Sequence, residues 1–412
     1  MSLPVKEVSH KFWSTQPVPQ EVAIGNEGPI DRIKTPDEIS DKPLRLPTGF
    51  SWVDIDLFNE KDAKDVYTLL LENYVEDDDA QFRFAYSIDV LRWALTPPGY
   101  IKDYHIGVRG TNNGHLYGFI TATPQTVSIR GKSVRMVDVN FLCVHKKIRS
   151  KRLAPVLIRE VTRRVNRHDG WQAIYTAGIK IPTPITEATY FHRALNIKKL
   201  IDIGFAAPPR RITLASYIKF LKVPTAFTVP GIRPLTNADI PAVVKLLSSY
   251  LQQFAVHQEF SEAEAAHFFL PRENVVGSYV RVDEKSGEVT DFFSFFHIQS
   301  SVIGNRKYDA FTATYCYYYA NTSMSMQELM QNMIIAAQKE GGDVFNALEV
   351  MRNGEVFEDL KFARGDGTLH YYFYNWKLNA IKPAELAVVL PWTVCWRSVW
   401  GSGRGGRECF AA

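Results

Sequence analysis

The sequence predicts an α+β protein made of two halves with a related order of elements. Stretches with apolar residues at every second position mark strands, and stretches with apolar residues three and four apart mark helices. The order helix, strands, helix, strand occurs once before a proline-rich join at residues 223–234 and once after it, although no residue-level repeat links the two. With 412 residues, 46% hydrophobic and 13% aromatic, the chain can bury a double-sized core, and we expect two related sheets in one body.

Residues 1–48 carry Pro4, Pro29, Pro36, Pro43 and Pro47 with little periodicity, which predicts an extended arm over a globular body. A helix is expected over 60–74, from the spacing of Ala63, Val66, Leu69 and Leu70, followed by a carboxylate cluster, Glu76, Asp77, Asp78 and Asp79. Strands are expected at 105–108, 116–122, 134–144 and 173–177. Between the last two, Leu153, Ala154, Leu157, Ile158, Val161 and Val165 fall on one helical face, with Pro155 tolerable in the first turn. The second half reads as a helix at 240–251, strands at 291–297 and 311–319, a helix at 326–339, and strands at 343–348 and 371–377. The globular pattern stops after 386–390.

Between the strand ending at Val144 and the helix from Leu153 runs His145-Lys146-Lys147-Ile148-Arg149-Ser150-Lys151-Arg152. A basic loop at a helix start, with the first backbone N–H groups free of intrahelical partners, attracts phosphate. The alternative is a solvated basic turn. A formal charge of +4 is small for this length, so the loop is a local feature and nucleic acid is not an expected partner. Cys143, Cys316, Cys395 and Cys409 lack metal-ligand spacing, which suits a reducing compartment, and no metal is expected. The sequence has neither a secretory leader nor a run of ~18 apolar residues. A cytoplasmic protein without integral membrane association is the expectation.

Asp138-Val139-Asn140-Phe141-Leu142-Cys143-Val144-His145-Lys146 is similar to one signature of the eukaryotic N-myristoyltransferases, and Lys361-Phe362-Ala363-Arg364-Gly365-Asp366-Gly367 resembles the other. The first signature usually begins with Glu where this chain has Asp138, and the second usually has Gly at Ala363. Further matches occur at 12–18, 75–79, 175–178, 190–193 and 343–348. The resemblance implies two tandem halves like those of acyl-CoA N-acyltransferases (GNAT-like), related by a pseudo-two-fold axis around a large mixed, mainly antiparallel sheet. By that division 1–48 is the arm, 49–222 the acyl-CoA half, 223–390 the peptide half and 391–412 an atypical tail.

The implied reaction moves myristate from myristoyl-CoA, a co-substrate and not a permanently bound cofactor, to the N-terminal glycine amine of nascent or mature proteins. The resemblance maps an oxyanion hole to the backbone amides of Phe141 and Leu142 and a hydroxyl near the attacking amine to Thr176. It maps myristoyl-CoA contacts to Lys11, Phe12, Trp13, Phe141, Leu142, Cys143, Val144, Arg149, Ser150, Lys151, Arg152, Leu153 and Ala154. Peptide contacts map to Glu76, Asp77, Asp78, Tyr190, His192, Ser294, Gly365 and Asp366. Read without the resemblance, Phe141, Leu142 and Thr176 are ordinary strand residues, Glu76 to Asp79 a solvated loop and Gly365 to Gly367 a turn. A monomer is expected. The Lys-rich extension that associates with ribosomes in some family members is not in this sequence, and ribosome contact stays open.

In the family the base is the carboxylate of the chain's last residue, which should fall near Pro391. Here the chain continues as PWTVCWRSVWGSGRGGRECFAA, with a peptide bond where the carboxylate would be. The expectation is therefore reduced turnover, or a form that binds acyl-CoA and peptide without transferring.

Overall fold

The strand-forming segments assemble into one continuous sheet, not two. A computed structural model describes residues 11–32, 34–74, 82–208 and 212–390. The expected acidic contacts at Glu76, Asp77 and Asp78 and the tail at 391–412 lie outside the described residues.

The first half comprises β1 (Phe50–Asp54), α1 (Glu60–Asn73), β2 (Phe82–Ala85), α2 (Ile88–Leu95), β3 (His105–Gly110), β4 (Leu116–Ile129), β5 (Lys132–Val144), α3 (Leu153–Arg167), β6 (Ala173–Ala177) and β7 (Thr186–Ala194). Two short helices, α4 (Ile197–Asp202) and α5 (Leu214–Phe220), lead to the second half. That half comprises β8 (Ile232–Pro234), α6 (Ile240–Leu251), β9 (Val256–Glu259), α7 (Glu262–Phe269), β10 (Val276–Val282), β11 (Val289–Val302), β12 (Ala310–Asn321), α8 (Met326–Lys339), β13 (Val344–Leu348), β14 (Ala363–Tyr374) and β15 (Leu386–Ala387).

The sheet order is β1-β3-β4-β5-β6-β14-β7-β13-β12-β11-β10-β8, which reads alike from both ends when the halves are exchanged. Thus β1 answers to β8, β3 to β10, β4 to β11, β5 to β12, β6 to β13 and β14 to β7. The side strands obey the same exchange, because β2 pairs with β11 while β9 pairs with β4. At the centre β14 lies between β6 and β7, and β7 lies between β14 and β13. A cut at residue 222 therefore divides the sequence but not the sheet. Pairing is antiparallel except for β5 with β6, β12 with β13 and β15 with β9.

Irregularities repeat as well. Register passes from Phe119↔Cys143 to Thr121↔Asn140, so Phe141 and Leu142 together face Ile120 in a bulge, with Phe141 at φ 50°. In the second half it passes from Phe293↔Tyr319 to Phe295↔Cys316, setting Tyr317 and Tyr318 opposite Ser294. The two parallel pairs within the main strand order are short. The β5–β6 ladder holds only Val137↔Ala173 and Asp138↔Ile174, and the β12–β13 ladder ends at Tyr315↔Asn346. Beyond these points the strands part, which opens a gap in the sheet in each half.

A smaller apolar core lies on the face covered by α3 and the arm, and the larger one packs under α1, α2, α6, α7 and α8. Gly118 lets α3 approach β4, since a Cβ there would meet Leu153 and Leu157 at 3.0 and 3.2 Å. The arm is held from both sides. Glu160, fully buried on α3, accepts the Leu44 N–H at 3.0 Å and pairs with Arg163 and Arg164, while Gly28 and Lys377 form a backbone bridge. The strand expected at 371–377 instead spans Ala363–Tyr374. It begins early because the glycines at 365 and 367 form a bulge inside it, and it ends early because Asn375 adopts φ 53°.

Candidate active site

The gap between β5 and β6 joins two differently furnished faces of the sheet. Val137, Val139 and Leu142 belong to the core under α3, whereas Phe141 and Cys143 belong to the opposite core. Alternation along β5 sends Asp138 and Asn140 to that opposite face, and the register sends Thr176 and Tyr371 there too, since Asp138 pairs with Ile174 and Thr176 with Tyr371. The bulge at Phe141 and Leu142 forms one lip of the gap and the end of β6, with Thr176, forms the other.

On the α3 face lies an apolar pocket, closed on most sides by hydrophobic side chains as small-ligand sites are. Ile120, Val137, Val139 and Leu142 form its floor, Ile158, Val161 and Val165 its wall, and Trp13, Tyr175 and Tyr374 its end. The arm closes it. Trp13, 3% exposed, stacks on Tyr175 at 5.6 Å, Tyr175 stacks in turn on Tyr372 at 5.0 Å, and the Tyr374 hydroxyl donates to Gln16 at 3.0 Å. Phe12 sits edge-on to Trp13 with the Arg159 guanidinium 5.7 Å from its ring centre, and Lys11 is exposed.

Beside the bulge the basic segment forms a 3₁₀ turn, Lys146–Lys151, after which Arg152 takes the left-handed conformation (φ 54°) and α3 starts without a side-chain cap. The first N–H groups of α3 therefore lie next to exposed Ser150, Lys151 and Arg152, a ready anion site. Arg149 is differently placed. Its guanidinium donates to the backbone oxygens of Asn73 (2.7 Å) and Val144 (3.3 Å), so it anchors the turn to α1 and β5. Leu153 and Ala154 are buried in the α3 packing, Val144 is buried beside them, and the Cys143 thiol is buried and directed at the Leu69 carbonyl.

On the opposite face a second, small cavity is lined by Tyr190, Tyr315, Asn346, Val389 and Leu390 among others. His192 neighbours it through Asn346, whose Oδ1 lies 2.7 Å from His192 Nδ1. Burial lowers the pKa of His192, and Asn346 and the charge of Asp366 oppose that shift, so Asp366 is electrostatically in contact with the imidazole. Gly365 lies closer still. A Cβ there would fall 2.3 Å from His192 Nε2 and 3.0 Å from the Tyr190 carbonyl. We expect Gly365→Ala to cost about 1–3 kcal/mol through that overlap, read as a lowered urea midpoint; an unchanged midpoint would mean that the close approach is not needed. Tyr190, His192, Gly365 and Asp366 thus come together, while Ser294 is spent elsewhere. Its hydroxyl donates to the Tyr318 carbonyl at 2.7 Å and accepts from the Tyr318 N–H at 3.1 Å, fastening the second bulge.

No local pattern marks the pocket, whose lining draws on four strands, a helix and the arm. Asn140 could have been found, because it is an amide at a buried position of a strand, two residues from Asp138, and its Nδ2 donates to Asp138 Oδ2 at 2.5 Å. Among the described residues no group of three or more His, Cys, Asp or Glu side chains is placed to hold a metal ion, and no helix is long and apolar enough to cross a membrane.

An apolar channel on one face, a polar recess on the other and a bulged strand between them suit the meeting of an acyl donor with an acceptor, and an acyltransferase is the class to which the chain belongs. Residues 29–188 match the N-terminal domain of myristoyl-CoA:protein N-myristoyltransferase, and residues 202–388 match its C-terminal domain. The chain is 48% identical to glycylpeptide N-tetradecanoyltransferase 1 of Arabidopsis thaliana, over 93% of this chain and 89% of the relative, and 46% identical to the Dictyostelium discoideum glycylpeptide N-tetradecanoyltransferase, over 93% of each. The crystal structure of Saccharomyces cerevisiae N-myristoyltransferase with bound myristoyl-CoA superposes with a TM-score of 0.88 at 42% identity, over 91% of this chain and 94% of that one. The chain is therefore a member of the myristoyl-CoA:protein N-myristoyltransferase family.

Proposed function

We propose that this chain transfers a myristoyl group from myristoyl-CoA to the N-terminal glycine amine of peptides and proteins. The observation that carries the reading is the bulge at Phe141 and Leu142, set at the gap that joins the apolar pocket to the polar face. The acyl chain lies in the pocket under Trp13, and the thioester reaches the gap. There the Phe141 and Leu142 amides stabilise the negative charge that builds on the carbonyl oxygen. The CoA phosphates rest on the start of α3 with Ser150, Lys151 and Arg152, and Arg149 holds that turn in place. The peptide enters from the other face past Tyr190, His192, Gly365 and Asp366, with Thr176 beside its amine, and the acidic residues 76–78 meet a basic side chain downstream of the glycine.

The first half of the chain thus serves the acyl-CoA, and the peptide lies largely on the second. Both substrates are soluble, and we place the enzyme in the cytoplasm. Leu390 is buried at the site but continues into Pro391, so the carboxylate that the family uses as base is here a peptide bond, and turnover is reduced. That same observation favours a second reading, a form that binds both substrates and transfers little. Mass spectrometry separates the two. With myristoyl-CoA, a peptide beginning with Gly should gain one myristoyl group and its Ala counterpart none. Binding of both ligands without any mass gain would select the second reading.

A further inference from the structure

Asp138 is the last residue of β5 paired with β6, at the apex of the gap, and the fold leaves its carboxylate half used. Oδ2 accepts from Asn140, but Oδ1 is buried without a hydrogen-bond partner among the described residues, and so is Oγ1 of Thr123, its cross-strand neighbour. Two such oxygens side by side in an interior, each 6% exposed at the residue level, cost free energy that a donor-rich ligand would recover. The titratable groups facing Asp138 are the phenols of Tyr317 and Tyr318 on β12 and of Tyr371 on β14, all with pKa values raised by burial and so neutral at pH 7. The complementary ligand is a cation with several N–H donors, which a primary ammonium supplies. Asp138 shares its sheet face with Thr176 and Tyr371, and Tyr371 lies against the backbone of Leu390.

We propose that Asp138 takes the proton from the substrate's glycine ammonium. This rests on the acyl-transfer reading and extends it, because an internal carboxylate serves whether or not the chain ends near residue 391. The ammonium gives one proton to Oδ1, and the neutral amine attacks the thioester carbonyl carbon, forming the C–N bond. The oxyanion then collapses, the C–S bond breaks, the second amine proton leaves on the CoA sulfur, and Asp138 returns its proton to water. Burial raises the Asp138 carboxyl to about 7, with Asn140 pulling it back in part, close to the ~7.7–8.0 of an α-amino group. Proton transfer between groups so matched needs little driving force.

The test compares the full chain with a chain ending at Leu390, each with Asp138 and with Asp138→Asn, using myristoyl-CoA and a Gly-terminated peptide. In the full chain D138N should lower kcat about 10²-fold or more and abolish the rise of kcat with pH through about 7, while Asp138→Glu restores both in part. In the short chain, where a terminal carboxylate is present, the same substitution should cost only a few-fold. A purely structural role would show as lost stability, yet the sign here is opposite. A carboxyl whose pKa is raised on folding destabilises the fold once pH passes its unfolded value, so D138N at pH 8 should melt no lower than the parent. An unchanged kcat and pH profile in full-length D138N would overturn the proposal, as would transfer by the short chain with none by the full chain. Absence of transfer from both lengths would instead sink the acyl-transfer reading itself.

Discussion

Replacing the Leu142 amide by an ester, through incorporation of the corresponding hydroxy acid, is expected to slow transfer about 10²–10³-fold, or ~3–4 kcal/mol, with acyl-CoA affinity nearly unchanged. The substitution deletes a single N–H and leaves the side chain in the pocket floor. An N–H directed at the carbonyl oxygen matters most when that oxygen carries charge, so its loss falls on kcat more than on KM. The bulge is what makes this position special. Elsewhere on β5 residues face β4 one to one, but Phe141 and Leu142 share Ile120 and leave the regular ladder where the sheet opens. A rise in KM alone, or no change at all, would remove these amides from the reaction.

The second large effect concerns acyl-chain length. Val161, 2% exposed, forms part of the α3 wall of the pocket, and Val161→Trp would fill space that the structure leaves to an acyl chain. If the indole displaces about four methylenes, each worth ~0.8 kcal/mol when buried, the loss is about 3 kcal/mol, or roughly 10²-fold in kcat/KM for myristoyl-CoA. Shorter acyl-CoAs should lose much less, so the order of preference shifts towards them. The cost to the fold should stay small, because the added volume enters a cavity and not a filled core. An acyl-length profile that matches the parent's would show that the chain lies elsewhere.

What could be read in advance was what is encoded locally. α3, α6 and α8 stand where apolar spacing puts them, and α8 starts at a capping box formed by Ser325 and Glu328. β6 spans the five expected residues because it is buried on both faces. β7 gave no such signal, since it carries Glu187, His192 and Arg193, whose partners come from distant segments: Asn346 for His192, and the Leu360 and Leu221 carbonyls for Arg193. Nor could two halves of similar order reveal that they exchange β7 and β14 at the centre of one sheet. That exchange brings Gly365 to His192 and Tyr374 to Trp13's pocket, pairings between residues far apart in the chain. The basic loop was legible as charge, but not that Arg149 is bound to backbone oxygens while Lys151 and Arg152 stay exposed.

CoA release tests the proposed glycine acylation at a gap that this chain keeps although Leu390 is not its last residue. Myristoyl-CoA and a Gly-terminated peptide would be given to the 412-residue chain and to a chain ending at Leu390, with kcat and both affinities measured for each. Equal affinities, transfer by both, and a higher kcat for the short chain are expected. Equal kcat values would contradict the loss of a terminal base, and no CoA release from either chain would contradict glycine acylation itself.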